Sequence, residues 1–141
     1  MGRLGAAALA EGALVLVDSA PIIYVLEGHP TLARRFRPLF DRHARGEIAF
    51  AVTTISIAEV ITGPLRAGDE ALAGRYKAVL ESWYVVELTA DIAERAARLR
   101  ANLQLKLPDA VQAASAIAVN ADALATHDRD FSRLTALPIL D

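Results

Sequence analysis

The sequence predicts an α/β fold: a three-layer sandwich with a central, mostly parallel sheet flanked by helices. Three observations point there. Short apolar runs alternate with longer amphipathic stretches, the pattern of strands joined by crossover helices. The first run is unbroken rather than alternating, as in a strand covered on both faces. Finally, 141 residues make one domain of ordinary size, which buries roughly 68–70% of its unfolded surface and needs no disulfide or structural metal.

Residues 1–12 read as a short N-terminal extension and residues 13–141 as a single domain. Arg3 followed by apolar residues has the outline of a secretory leader. Glu11 interrupts it, however, and 13–17 leads straight into Asp18 as a core strand would. Pro21 opens a short helix through Glu27, ended by Gly28. A second helix, 31–45, keeps Leu32, Phe36, Leu39 and Phe40 on its apolar side and closes at Gly46. Residues 48–52 form the second strand, and Thr53 and Thr54 are placed to cap the helix carrying Ile57, Ala58, Val60 and Ile61. Gly63-Pro64 is expected to disturb or end that helix. A helix over 69–82, a strand over 84–88 and a long helix over 89–103 follow. Pro108 then opens a helix of almost entirely small or apolar residues, 110–119. Short strands are expected at 123–126 and 137–140.

Composition excludes several classes. The absence of cysteine removes a disulfide scaffold, a cysteine-ligated zinc site and a thiol nucleophile, and agrees with a reducing, cytoplasmic setting. No stretch of about 18 uninterrupted apolar residues is present, so no membrane span is expected. A net charge of −2 provides no global field for nucleic acid. Phosphates would have to be met by local basic patches or by metal ions.

In parallel sheets ligands bind beyond the carboxyl ends of the strands, which directs attention to four acids. Asp18 directly follows the first apolar run; it suits either a helix cap or a site acid. Glu59 shares a thin polar stripe with Ser56 and Thr62 on an otherwise apolar helix, and either solvent or a site explains it. Asp109 stands in the first turn of the alanine-rich helix, where an acid complements the helix dipole, yet that helix carries no other charge. Asp128 follows the strand at 123–126, as an Asx-turn or as a fourth site acid, and Asp130 reads as the cap of a turn over 131–134. Four carboxylates gathered together repel one another, and a divalent cation resolves the conflict. Relief of that repulsion predicts that Asp18→Asn and Asp128→Asn leave the metal-free fold as stable or more so.

Four segments carry a family resemblance. Asp18-Ser19-Ala20-Pro21-Ile22-Ile23-Tyr24-Val25-Leu26-Glu27-Gly28 resembles the opening motif of PIN domains of the VapC toxin type. Thr54-Ile55-Ser56-Ile57-Ala58-Glu59-Val60 resembles the second motif, Leu105-Lys106-Leu107-Pro108-Asp109-Ala110-Val111-Gln112-Ala113-Ala114 the third, and Ala121-Asp122-Ala123-Leu124-Ala125-Thr126-His127-Asp128-Arg129-Asp130-Phe131 the fourth. Their order and spacing are specific where any one alone is not. The resemblance implies a PIN-like three-layer sandwich and a metal-dependent endoribonuclease, with Asp18, Glu59, Asp109 and Asp128 as metal-binding catalytic acids. It makes Thr126 and Ser19 supporting hydroxyls and Mg2+ (Mn2+ also suiting the site) the cofactor. It also implies cleavage leaving a 3′-hydroxyl and a 5′-phosphate, a VapB-like antitoxin that blocks the acidic site, and a homodimer formed through helices. The N-terminal extension departs from the family pattern, since such domains commonly start within a few residues of their first Asp.

Lys106, Arg129 and Arg133 flank the acids and are candidates for phosphate contacts with RNA. His127 reads as an exposed loop residue, with a metal ligand or general base as the lesser alternative, and His29 and His43 as surface residues at element ends. Arg34, Arg35, Arg37, Arg42 and Arg45 crowd the second helix, as a solvated face, an RNA-tracking patch or an antitoxin contact. Beside a non-catalytic binding module with a decayed site, which the presence of all four motif acids opposes, two other functions compete with the toxin. One is an RNA-processing PIN nuclease outside any toxin pair. The other is a receiver-like signalling module, which wants a lysine after a late strand where this chain has only Asp141.

Overall fold

The computed structural model describes residues 5–141. Met1 to Leu4, the first part of the predicted extension, lie outside the described residues. Five strands form one sheet in the order β3-β2-β1-β4-β5, with every pairing parallel. They are β1 (Leu14–Val17), β2 (Ala49–Thr53), β3 (Tyr84–Val86), β4 (Ala123–Ala125) and β5 (Ile139–Leu140). The helices are α1 (Ser19–Leu26), α2 (Leu32–Ala44), α3 (Thr54–Arg66), α4 (Glu70–Glu81), α5 (Ala90–Leu103) and α6 (Leu107–Ala118). Short 3-10 turns span Ala6–Ala8 and Arg129–Arg133.

The unbroken apolar run of β1 has the expected cause. Leu16 faces one core with Ala51, Leu124 and the small residues Ala110, Ala113 and Ala114 of α6. Val15 and Val17 face the opposite core with Ile22 of α1, Leu39 of α2, Val60 of α3 and Leu80 of α4. Strand neighbours alternate between faces, so a strand between two helical layers must be apolar at every position. Each fully buried Leu, Val or Phe contributes about 1.5–3 kcal/mol relative to exposure. Alanine on α6 lets that helix approach the sheet closely.

Chain order also fixes the site. From β1 the chain builds outward through β2 and β3, then returns to place β4 on the other flank of β1. The sheet therefore reverses its winding between β1 and β4, the place at which ligands bind beyond the carboxyl ends of strands in such sheets.

Several local expectations are corrected. Gly63-Pro64 does not stop α3, which runs on to Arg66 with Pro64 inside it. Pro64 is buried, and its packing compensates for the backbone bond it cannot donate. Asp128, rather than Asp130, caps the last turn, its Oδ1 accepting from the Asp130 N–H at 2.8 Å. None of the three histidines is simply exposed. His43 stacks on Phe50 with centroids 4.1 Å apart, and burial lowers its pKa from the ordinary imidazole value. His127 meets Tyr24 and Phe36 edge-on at 5.8 and 6.3 Å, while His29 meets Tyr24 at 5.4 Å and accepts from the Leu32 N–H. The arginines of α2 also divide. Arg42 is largely buried, pairs with Glu47 at 2.8 Å and donates to the Ala6 and Leu9 carbonyls, which ties residues 6–9 to α2. Arg45 pairs with Glu47 and Arg35 with Asp141.

Candidate acidic site

Asp18 leaves the carboxyl end of β1 and becomes the N-cap of α1. The cap reading of its sequence position therefore holds, and the same carboxylate also reaches Thr126, just after β4. Its Oδ1 accepts from the Ser19 N–H at 2.9 Å and from Gln112 Nε2 at 2.8 Å, and its Oδ2 accepts from the Thr126 hydroxyl at 2.8 Å. Thr126, fully buried just after β4, also accepts from the Asp128 N–H at 3.0 Å. One hydroxyl thus joins the first and fourth motifs.

Gln112 is the organising residue that sequence reasoning passed over. It lies on α6 at 1% exposure, and every polar atom of its amide is engaged. Besides Asp18, its Nε2 donates to Ser56 Oγ at 2.7 Å, and its Oε1 accepts from Thr53 Oγ1 at 2.7 Å. Ser56 and Ser19 face each other at 2.8 Å, and Ser19 donates to Glu59 Oε1 at 2.7 Å. Because the Ser19 proton points to Glu59, Ser56 must be the donor in the serine pair. The chain of bonds then has one direction, from Thr53 through Gln112, Ser56 and Ser19 to Glu59, with a branch to Asp18. Both carboxylates serve only as acceptors. The sequence signal for Gln112 was available: it is the one long polar side chain in a helix of small and apolar residues.

The remaining acids are arranged differently. Asp109, in the first turn of α6, comes together with Asp128 and Asp130 so that one oxygen of each lies within 4.8 Å of the others. Asp109 Oδ2 is buried and has no hydrogen-bond partner among the described residues. Burial, followed by the charge of Asp128, a hydrogen bond shared with Asp128, and the charges of Asp18 and Asp130, pushes the Asp109 carboxyl up to about 7. The structure thus gathers three acids, of which Asp130 had been read only as a cap. Asp18 lies close enough to act on Asp109 electrostatically. Glu59 is exposed and stands outside this trio, joined to Asp18 through Ser19.

A divalent cation fits these residues. An orphaned buried carboxylate oxygen among like charges is the environment such an ion relieves, and an all-oxygen donor set suits a hard ion. Asp109, Asp128 and Asp130 would hold it, with Asp18 adjoining. Of the basic candidates, Lys106 is exposed at the N-cap of α6, Arg129 is exposed on the last 3-10 turn, and Arg133 stands 4.0 Å from Asp130.

The class of protein so defined is a parallel α/β sandwich with acids collected where the sheet reverses. The PIN-domain family model matches residues 15–137, and the chain belongs to that family. Solved structures share its fold. One is a toxin–antitoxin complex from Klebsiella pneumoniae, 24% identical over 87% of this chain and 94% of that one, with a TM-score of 0.70. Another is VapBC-1 from nontypeable Haemophilus influenzae, 21% identical over 91% and 97%, with a TM-score of 0.71. A third is VapC20 from Mycobacterium tuberculosis, a toxin that cleaves the sarcin-ricin loop, 17% identical over 86% and 95%, with a TM-score of 0.69. Among curated protein sequences, none matches.

Proposed function

We propose that this protein is a metal-dependent endoribonuclease and the toxin of a VapBC-type toxin–antitoxin pair, working in the cytoplasm. The single observation that carries the nuclease reading is the trio Asp109, Asp128 and Asp130 with its orphaned buried oxygen, beside Asp18, in a PIN domain. The toxin reading is supported by family membership together with folds shared with VapBC complexes. No helix among the described residues is long and apolar enough to cross a membrane.

The chain's own residues make the following contributions. Asp109, Asp128 and Asp130, with Asp18, would hold Mg2+ or Mn2+, which when bound would supply Lewis acidity. Thr126 and Gln112 fix the Asp18 carboxylate so that it needs no reorganisation during the reaction. Ser19 keeps Glu59 turned toward Asp18 at the rim, where Glu59 is positioned to orient water. Lys106, Arg129 and Arg133 offer cations to RNA phosphates around the acids. An antitoxin guanidinium reaching the acids would pair with them bidentately and exclude RNA. Leu65 and Val79 are exposed on the packed pair α3 and α4 and provide apolar surface for a partner, including a second copy.

The test is cleavage of a structured RNA panel by wild type and by Asp18→Asn, Glu59→Gln, Asp109→Asn and Asp128→Asn, each with Mg2+, Mn2+ or EDTA. Cleavage is expected only with metal and only by wild type, and it should be suppressed by the product of a neighbouring small gene. Full cleavage in EDTA, or by the Asp109→Asn protein, would end the nuclease reading. Metal-dependent cleavage that the neighbouring product cannot suppress would favour an RNA-processing PIN nuclease.

A further inference from the structure

The segment from His127 to Arg129 has two sides with opposite chemistry. Asp128 is in extended backbone, φ −86° and ψ 123°. In extended chain the neighbours of a residue point away from it. Asp128 joins the acids, and the residues on either side of it, His127 and Arg129, line a separate cavity of ≈ 300 Å³ completed by Arg35 and Asp141. Consecutive Cα atoms are about 3.8 Å apart, so the acids and the cavity share one short stretch of chain.

Two guanidinium groups, those of Arg35 and Arg129, line the cavity together with Asp141. Arg35 comes from α2, and Asp141 steadies it at 3.2 Å, which leaves its other N–H groups to donate elsewhere. Arg129 makes no ion pair among the described residues. The His127 ring is held edge-on by Tyr24 and Phe36, and neither of its nitrogens has a hydrogen-bond partner among the described residues. This side chain, which the sequence suggested was merely exposed, is therefore fixed by aromatic packing with its polar edge uncommitted.

We infer that this cavity seats a phosphate of the RNA adjoining the bond to be cut, with the Arg129 and Arg35 guanidinium groups and the His127 ring as its donors. The inference rests on the ribonuclease reading and deepens it. Residues on opposite sides of Asp128 would grip successive parts of one strand: the acids take the scissile linkage, and the cavity takes its neighbour. Arg35 and His127 thereby become positioning residues for substrate, although neither stands among the acids.

The test uses the full chain, Mn2+ and an RNA that the wild type cuts. Arg129→Ala and Arg35→Ala are compared with Arg98→Ala, a control on the exposed face of α5. KM should rise about tenfold for Arg129→Ala, the worth of a charged hydrogen bond, with kcat little changed and Mn2+ affinity unchanged. The slope of log affinity against log salt should fall by about 0.7, one single-strand phosphate contact. Arg98→Ala should match wild type. A companion RNA carries an uncharged methylphosphonate at the linkage next to the cut. That change should cost wild type at least what Arg129→Ala costs, and the two together should cost no more than the methylphosphonate alone. An Arg129→Ala protein with wild-type KM and salt slope, or effects that simply add, would overturn the subsite while leaving the nuclease standing. A wild type that neither binds nor cuts RNA would remove both.

Discussion

The two halves of the acidic site solve the same electrostatic problem in different ways. Around Asp18, every carboxylate oxygen is met by a donor: a backbone N–H, a glutamine amide and a threonine hydroxyl. Around Asp109, acid faces acid, and a buried oxygen has no partner. The first half is complete without a cation and can be rigid before substrate arrives. The second stores repulsion that protonation of Asp109 relieves in the metal-free protein and that a cation would relieve better. In the proposed reading, the satisfied half would set the geometry of a cation site and the unsatisfied half would supply its affinity.

The largest effect that could break this contrast is on activity. Asp18→Asn and Asp109→Asn should each lower metal-dependent RNA cleavage on the order of 10³-fold or more, because residues acting as one unit fail together. Their effects on stability should then separate, as denaturant melts in EDTA at pH 8 would show. An Asn at 18 must aim its NH2 at one of the donors that Asp18 accepts, leaving a buried donor without an acceptor at a cost of about 1–3 kcal/mol. This revises the expectation from charge repulsion alone, under which Asp18→Asn was to be harmless. Asp109→Asn should instead stabilise the protein by about 1 kcal/mol after allowing for solvent screening. Equal shifts for both variants would dissolve the distinction between the halves.

Next in size is Gln112→Leu. It removes an amide whose loss leaves Thr53, Ser56 and Asp18 each short of a partner. A loss of about 2–3 kcal/mol is expected, with metal affinity weakened roughly 10–100-fold as for other groups that orient ligands. Unchanged thermal stability for this variant would show that the network is slack.

A smaller effect concerns pH. With its folded pKa raised to about 7 against an ordinary 3.8, Asp109 binds more protons in the folded state between those values. Its contribution to stability is therefore fully present below about pH 4 and lost as pH rises through 7. Urea melts of the metal-free protein should show this decline superimposed on other titrations, and Asp109→Asn should remove it. Saturating Mn2+ should offset the loss at high pH by favouring the folded state. A wild type and an Asp109→Asn variant with parallel pH profiles would contradict the assignment.

Much of this architecture was legible in the sequence, for reasons that can be named. The run ending at Asp18 reads as a doubly covered strand because both faces of β1 must be apolar, and the structure buries Val15, Leu16 and Val17 completely. The first and last of the acids that the motifs singled out stand just after strand ends, and such positions depend on local pattern. What escaped depends on contacts between distant segments. Gln112 meets Asp18 across 94 positions and Ser56 across 56, and no local pattern encodes those bonds. Asp130 was assigned to a cap because an acid before a short turn usually is one; Asp128 takes the cap, which leaves Asp130 to join Asp109. Pro64 stays within α3 because burial there outweighs its local preference to end a helix.

In the proposed reading Asp109, Asp128 and Asp130 would hold a cation, and without it Asp109 keeps a proton in its place. Titration calorimetry with Mn2+, at pH 6 and pH 8 and in buffers of different ionisation enthalpy, tests it most directly, because a carboxyl must lose its proton to become a ligand. At pH 6 wild type should release about one proton on binding Mn2+ and at pH 8 almost none, while Asp109→Asn should release none at either pH and bind more weakly. Binding with no proton release at pH 6, or equal Mn2+ affinity in wild type and Asp109→Asn, would contradict it.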